Sequence, residues 1–209
     1  MTKIIDYFFG IGSPWAFIGL DPFAALASEQ NATIRPYVIP LIEDNGAIYS
    51  RNRPEARRAY WTKDLKRWAA IRGKTLNFEN RAALSDPTPA GFLVLAAIDA
   101  GEDWLRLTKA LQEAFWLRGE NIGDAEVRRA IADAAGFDGA ALEIRAQGET
   151  VQSAWKANYE TARGAGVFGL PTFRYDGELY WGQDSLPFLE RHMKGRAKNS
   201  SPDPSQKHG

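Results

Sequence analysis

Ser13-Pro14-Trp15-Ala16, standing after the apolar run Ile4 to Phe9 and the glycines Gly10 and Gly12, decides how this chain is read. Ile4 to Phe9 is short and mostly apolar, as a buried strand is. Gly10 and Gly12 break it. Ser13 is a natural helix N-cap. Pro14 fits the first helical position, where the N–H it lacks would have no partner. Trp15, Ile18, Leu20, Phe23 and Leu26 carry a helix to about Ser28, with Pro22 expected to bend it. Thr33 to Val38 alternates like a second strand. Strand, helix and strand in this order predict two parallel strands joined by a crossover.

A second signal lies far along the chain. Gly166-Val167-Phe168-Gly169-Leu170-Pro171-Thr172-Phe173 is a glycine-rich approach to a proline that begins a strand. Pro171 to Tyr175 reads as that strand, Asp176-Gly177 as a two-residue hairpin turn, and Glu178 to Trp181 as the antiparallel partner. Gln183 or Asp184 can cap a final helix to about Lys194, with Pro187 in its first turn. Between these β segments, Ile39 to Pro54 reads as a loop. Glu55 to about Arg163 reads as almost entirely helical, punctuated by Gly101, Gly119, Gly136 and Gly148 near helix ends. The fold class is therefore α/β, a thioredoxin-like β-α-β … β-β-α fold interrupted by a large all-helical insertion. Residues 1–42 and 164–195 make the thioredoxin-like part and 43–163 the insertion. The polar tail 196–209 reads as disordered.

The two segments look like the halves of a thioredoxin-type active site, in which a Cys-Pro-x-Cys motif caps the first helix and faces a cis-proline loop. Here Ser13 stands where the first cysteine would be and Ala16 where the second would be. The chain has no cysteine at all. Dithiol exchange needs a thiolate attacking a disulfide, so disulfide oxidoreductase activity is the function the sequence excludes most firmly. Any sulfur chemistry must use a thiol brought by a ligand.

The other bounds are broad. A chain of 209 residues with 44% hydrophobic content can bury a substantial core. Its 26 basic and 26 acidic side chains cancel, so no global attraction to nucleic acid or anionic membrane is expected. No apolar run approaches the roughly 20 residues of a membrane span. Met1-Thr2-Lys3-Ile4-Ile5 lacks a signal peptide's apolar stretch, and a cytoplasmic location is expected. Two histidines, His192 near the end of the last helix and His208 in the tail, argue against a histidine triad or a multi-histidine metal site. No metal is expected.

Ser13 has two readings, a helix cap and a ligand contact. The second follows from its place at the carboxyl end of a parallel strand, where α/β sheets bind ligands. A helix start offers free N–H groups and partial positive charge, which lower the pKa of a thiol. A serine hydroxyl there can donate to a thiolate. Pro171 is either an ordinary strand-initiating proline or a cis-proline that turns the Leu170 backbone toward the site, to pair with a peptide-like ligand. Gly182, Gln183, Asp184 and Ser185 are either a strand end and helix cap or an α-amino-acid site. In the latter, backbone amides take the carboxylate and Asp184 the ammonium. Arg51, Asn52 and Arg53 in the loop before the insertion are either solvated surface or, placed over Ser13, a carboxylate clamp. On the first long helix Trp61, Leu65 and Trp68 share one stripe. Arg57, Tyr60, Asp64 and Arg67 share another, which reads as a salt-bridged surface whose Tyr60 and Arg67 are the members to test.

Taken together, Ser13-Pro14-Trp15-Ala16-Phe17, Arg57 with Tyr60 and Asp64-Leu65-Lys66-Arg67-Trp68-Ala69, Gly166 to Phe173, and Tyr180 to Asp184 resemble the 2-hydroxychromene-2-carboxylate isomerase family. Those enzymes are relatives of kappa-class glutathione transferases and of DsbA-like oxidoreductases. The resemblance spans about residues 4 to 193. It implies bound glutathione, a thiolate held at Ser13, a main-chain contact at Leu170 next to Pro171, and contacts from Gly182, Gln183, Asp184 and Ser185. It implies a homodimer. It also implies a small-molecule substrate, an aromatic carboxylate formed during naphthalene-type ring degradation. In the isomerases the thiolate adds reversibly to a conjugated ring-opened intermediate, a bond rotates, and elimination returns glutathione unchanged. The chain departs from the family in one loop. A lysine often present there has no counterpart in Tyr49-Ser50-Arg51-Asn52, so Arg51 or Arg53 replaces it or the substrate differs.

The leading expectation is a glutathione-dependent isomerase of an aromatic or conjugated carboxylic acid, with Arg51, Asn52, Arg53, Tyr60 and Arg67 on the substrate side. A kappa-like transferase or peroxidase would consume glutathione. A thioredoxin-fold binding or chaperone-like module would have no affinity for it.

Overall fold

A computed structural model describes residues 2–78 and 86–195. The expected disorder of the tail, and His208 within it, lie outside the described residues. The chain runs β1 (Lys3–Phe9), α1 (Pro14–Glu29), β2 (Ala32–Val38), α2 (Glu55–Ile71), α3 (Thr88–Asp99), α4 (Trp104–Glu113), α5 (Ala125–Ala134), α6 (Gly139–Ala146), α7 (Glu149–Gly164), β3 (Thr172–Tyr175), β4 (Glu178–Trp181) and α8 (Leu186–Met193). The β-α-β, helical, β-β-α order read from the sequence is present, with strand and helix ends shifted by a residue or two.

The four strands form one sheet in the order β2-β1-β3-β4. β1 pairs parallel with β2, and antiparallel with β3, which pairs antiparallel with β4. Pro36 sits on β2 at the sheet edge, where a missing donor is tolerated. Asp176 and Gly177 turn the β3–β4 hairpin with φ of 49° and 82°, the double positive φ that Asp-Gly suits. Pro22 lies inside α1, and the helix continues past it to Glu29.

Alternation along β1 separates the two faces of the sheet. Ile5, Tyr7 and Phe9 point into the main core with Phe23 of α1, Phe173 of β3 and Leu189 of α8. Tyr7 stacks on Phe9 at 4.4 Å and on Phe173 at 5.4 Å. That core continues without a break into the helical region, through Leu65, Leu93, Leu107, Leu111 and Trp116. On the opposite face Phe8 packs with Ile39, Ile42, Ala162, Val167 and Leu170, which brings the end of α7 against the sheet. Asp6 shares this face and is buried. Its cross-strand partners in register are Arg35 and Arg174, and both donate to it, at 2.5 Å and at 2.5 and 2.8 Å. Two guanidinium groups from the flanking strands are what make a buried carboxylate tolerable there.

Helix ends follow local chemistry. Asp103, Asp124 and Asp138 cap α4, α5 and α6 through their side chains. α4 winds into a single π turn over Ala114–Arg118 that stops at Gly119, φ 70°. The turn faces Trp116 inward, and its indole N–H donates to the Ile11 carbonyl at 3.3 Å. The helical region thereby holds the loop that presents Ser13.

Candidate active site

The loop between β1 and α1 is tightened by the Ser13 N–H donating to the Gly10 carbonyl at 3.1 Å. Ser13 caps α1 as its sequence predicts, with Oγ accepting from the Ala16 N–H at 3.2 Å. Its hydroxyl proton goes elsewhere, to the Leu170 carbonyl at 3.1 Å. The Leu170-Pro171 peptide bond is cis. Two segments 157 residues apart in sequence thus meet through one hydroxyl.

They meet on one wall of a cavity of about 1100 Å³. Around Ser13 this wall carries Trp15, Leu170, Gly182 and Asp184. The Gly182 N–H donates to the Pro171 carbonyl at 2.9 Å, which seats the β4 exit beside Leu170. Gly182 has φ of 85°, and a Cβ there would lie 2.3 Å from Asp184 Oδ1, so glycine is required on both counts. Asp184 is exposed, has no ion pair among the described residues, and does not cap α8, whose N-cap residue is Ser185. Its carboxylate is left facing the cavity. Ser185 donates to the Gly182 carbonyl at 2.7 Å and braces the turn from behind.

The facing wall comes from the β2–α2 loop and α2. Arg51, Arg53, Arg57, Tyr60, Trp61, Asp64 and Trp68 line it. Arg51 lies over the Tyr49 ring at 4.4 Å. Arg53 donates to the Ile48 carbonyl at 3.3 Å, while its Nε is buried without a hydrogen-bond partner. Burial, and then the neighbouring Arg57, push the Arg53 guanidinium below its ordinary pKa. An acceptor is what its Nε lacks. Arg51, Arg53 and Arg57 outnumber Asp64 on this wall, and Asp184 stands on the other.

The structure therefore brings together Ser13, Leu170, Gly182, Asp184, Arg51, Arg53 and Tyr60. Pro171 stands behind Leu170 and is buried. Gln183 points away from the cavity. It is fully buried, with its Cβ 2.5 Å from where a Cβ on Gly19 would lie, and it accepts from Arg72 at 2.8 Å. It fastens the turn to α1 and does not face a ligand. Asn52 and Arg67 are exposed and lie off the cavity lining. The expected salt-bridged stripe on α2 is not one. Arg57 and Asp64 face the cavity with no ion pair among the described residues.

Sequence reasoning missed Trp155 of α7, Asp86, Pro87 and Phe168 as lining residues. Trp155 follows Val151 by one helical turn and precedes Tyr159 by another, a spacing indistinguishable from that of core. Pro87 gave no signal at all. It reaches the site because a Cβ on Gly12 would fall 2.5 Å from its Cγ, a contact between segments far apart in sequence.

Residues 4–194 match the family model of the DSBA-like thioredoxin domain. The chain belongs to that family. Among curated relatives it is 29% identical over 197 residues to the 2-hydroxychromene-2-carboxylate isomerase of Sphingobium xenophagum, covering 92% of this chain and 99% of the relative. It is 28% identical over 196 residues to the enzyme of that name from Pseudomonas putida, covering 91% and 94%. These full-length matches make the chain an enzyme of the isomerase class. A solved 2-hydroxychromene-2-carboxylate isomerase superposes with a TM-score of 0.77 at 23% identity, covering 92% of this chain and 95% of that one. The cytosolic disulfide reductase DsbM from Pseudomonas aeruginosa superposes with a TM-score of 0.65 at 21% identity, covering 91% and 98%. The last two likenesses concern the fold alone. No helix among the described residues is long and apolar enough to cross a membrane.

Proposed function

We propose that this DsbA-like chain is a glutathione-dependent isomerase of an aromatic or conjugated carboxylic acid, similar in substrate to 2-hydroxychromene-2-carboxylate. The observation that carries the reading is the placement of the Ser13 hydroxyl at a helix start, against the Leu170 carbonyl, on one wall of a cavity whose facing wall holds Arg51, Arg53 and Arg57. The curated relatives named for that isomerisation support it.

The residues present fit a peptide thiol. Ser13 and the first turn of α1 offer a hydroxyl and a positive helix end to a thiolate. The Leu170 carbonyl offers an acceptor to a peptide N–H, and Asp184 a free carboxylate to an α-ammonium. When bound, glutathione supplies a soft nucleophile that adds to and leaves from a conjugated carbon, allowing a bond to rotate. The chain's own residues do the rest. Arg53, with an unpartnered Nε, and Arg51 and Arg57 beside it take the substrate carboxylate. Arg suits that task because its planar fork matches a carboxylate. Trp15, Trp61, Trp68 and Trp155 give flat apolar walls to an aromatic ring and keep water from it. The homodimer, the cytoplasmic location and a place in aromatic catabolism belong to the same reading. A species of twice 23.2 kDa on gel filtration is expected.

Titration calorimetry with reduced glutathione tests the reading. Saturable binding is expected, weakened by Asp184→Ala. Absence of heat and of thermal stabilisation at millimolar glutathione would overturn it in favour of a binding module.

A further inference from the structure

Between Gly182 and Asp184, which line the cavity, Gln183 turns inward and is fully buried. Arg72, just past the end of α2 and 111 positions away in sequence, clasps it at two atoms. The Arg72 Nε donates to Gln183 Oε1 at 2.8 Å, and Nη2 donates to the Gln183 main-chain carbonyl at 3.2 Å. Among the described residues the side-chain amide has no other partner, and its Nε2 is buried without a hydrogen bond. On the other side Gln183 leans on α1 at Gly19, where a Cβ would fall 2.5 Å from its own. The guanidinium is itself held over the Trp68 ring, 5.6 Å from the centroid. A planar fork can fix side chain and backbone of one residue together, which a point donor such as lysine cannot.

We propose that Arg72 is a positioning residue: it stands outside the cavity lining and sets the direction of the Asp184 carboxylate through Gln183. The inference rests on the glutathione reading above, in which Asp184 takes the α-ammonium. Asp184 is exposed, and its side chain has no ion pair among the described residues. Its aim therefore comes from the backbone of the turn that carries it. That backbone is held where Gln183 is held. Without Arg72, the Gln183 amide is buried with neither end bonded, and a buried polar group stripped of its partner is costly. The amide regains partners only by moving toward water, because α1 closes the inward side at Gly19. Gly182 and Asp184 flank Gln183 in the chain, so the turn moves with it and the carboxylate loses its place.

The test is a double-mutant cycle read by calorimetry with reduced glutathione. Arg72→Met keeps an apolar stem over Trp68 and removes both donors. It should weaken glutathione about tenfold, as Asp184→Asn does, while the KM for the carboxylate substrate holds. The double variant should also be weaker by about tenfold and not by about a hundredfold, because a displaced carboxylate has nothing left to lose. Arg72→Lys, which keeps one donor, should recover part of the affinity, and it carries the same cycle if Arg72→Met does not fold. The calorimetric stoichiometry reports the folded fraction separately from affinity, so plain destabilisation does not imitate the result. Effects that multiply in the double variant would overturn the inference. So would full glutathione affinity in Arg72→Met, or an equal rise in the KM for the carboxylate. Failure of glutathione to bind wild type is a different outcome, which overturns the proposed function and this inference with it.

Discussion

The wall of the cavity built by the strand ends presents a short hydroxyl, a backbone carbonyl and one carboxylate, nearly all held by hydrogen bonds. The wall built by the β2–α2 loop and α2 presents arginines and aromatic rings with few partners. Ser13 has both of its oxygen's roles filled, and Gly182 is pinned to Pro171 and to Ser185. Across from them Arg57 and Asp64 have no ion pair among the described residues, and Arg53 keeps a buried Nε unsatisfied. The first wall is rigid because its geometry is backbone geometry. The second is chemically unfinished. On the proposed function, the thiol ligand lies against the first wall and the carboxylate substrate against the second.

The largest effect expected is at the rigid wall. Ser13→Ala should lower kcat about 10²- to 10³-fold in a glutathione-supported isomerisation assay, the loss seen when one preorganised donor to a developing anion is removed. Its stability should fall by about 1–3 kcal/mol, the cost of a lost N-cap and of the lost bond to Leu170, as thermal unfolding would show. Equal kinetics in the variant would remove Ser13 from the chemistry. At the other wall, Arg53→Ala should raise KM for the carboxylate about 10- to 100-fold, the value of a charged hydrogen bond, with glutathione affinity unchanged. If both ligands weaken together, the two walls are not separate sites. Asp184→Asn should do the converse, weakening glutathione about tenfold by calorimetry while the KM for the carboxylate holds.

The smallest effect concerns what joins the walls. Asp21 of α1 pairs with Lys74 after α2 at 2.6 Å and with Lys109 of α4 at 3.0 Å. Burial raises its pKa, but the bonds and charges of the two lysines outweigh that and hold the carboxyl below its usual value. A carboxylate with a lowered folded-state pKa contributes stability that is present above its unfolded pKa, about 4, and is lost as pH falls through the folded value. Asp21→Asn should therefore cost stability at neutral pH and nothing once the wild-type carboxyl is protonated. With the side chain 43% exposed the difference should be about 0.5 kcal/mol, read by comparing unfolding midpoints at the two pH values. A deficit that persists in acid would mean Asp21 acts through packing instead.

The rigid wall was the more legible of the two, and the reason is physical. A serine before a proline caps a helix through contacts three residues away, and Asp-Gly turns a hairpin through two φ angles. Both are local, and short-range sequence states them. The same locality gave the parallel β1–β2 pair and the placing of Leu170-Pro171 at the start of β3. Gln183 shows the limit. Its neighbours Gly182 and Asp184 line the cavity, but packing against Gly19 and the bond from Arg72, 111 residues away, turn it inward. The helical wall was harder to read because cavity-facing and core-facing residues have the same periodicity. Trp61, Trp68 and Trp155 fall on stripes that look like core. Arg57 and Asp64 look like a surface ion pair, yet both line the cavity with residues of the β2–α2 loop and neither has an ion pair among the described residues. Arg67 shares their stripe and points outside, a rotation that periodicity alone does not resolve.

The central claim is that a thiol brought by glutathione, and not the protein's own side chains, does the chemistry and is returned. The direct measurement is isomerisation of 2-hydroxychromene-2-carboxylate followed optically, with and without glutathione, while free thiol is counted before and after. The account predicts turnover that depends on glutathione and leaves its amount unchanged over many turnovers. Full turnover without glutathione, or loss of one thiol for each substrate converted, would contradict it.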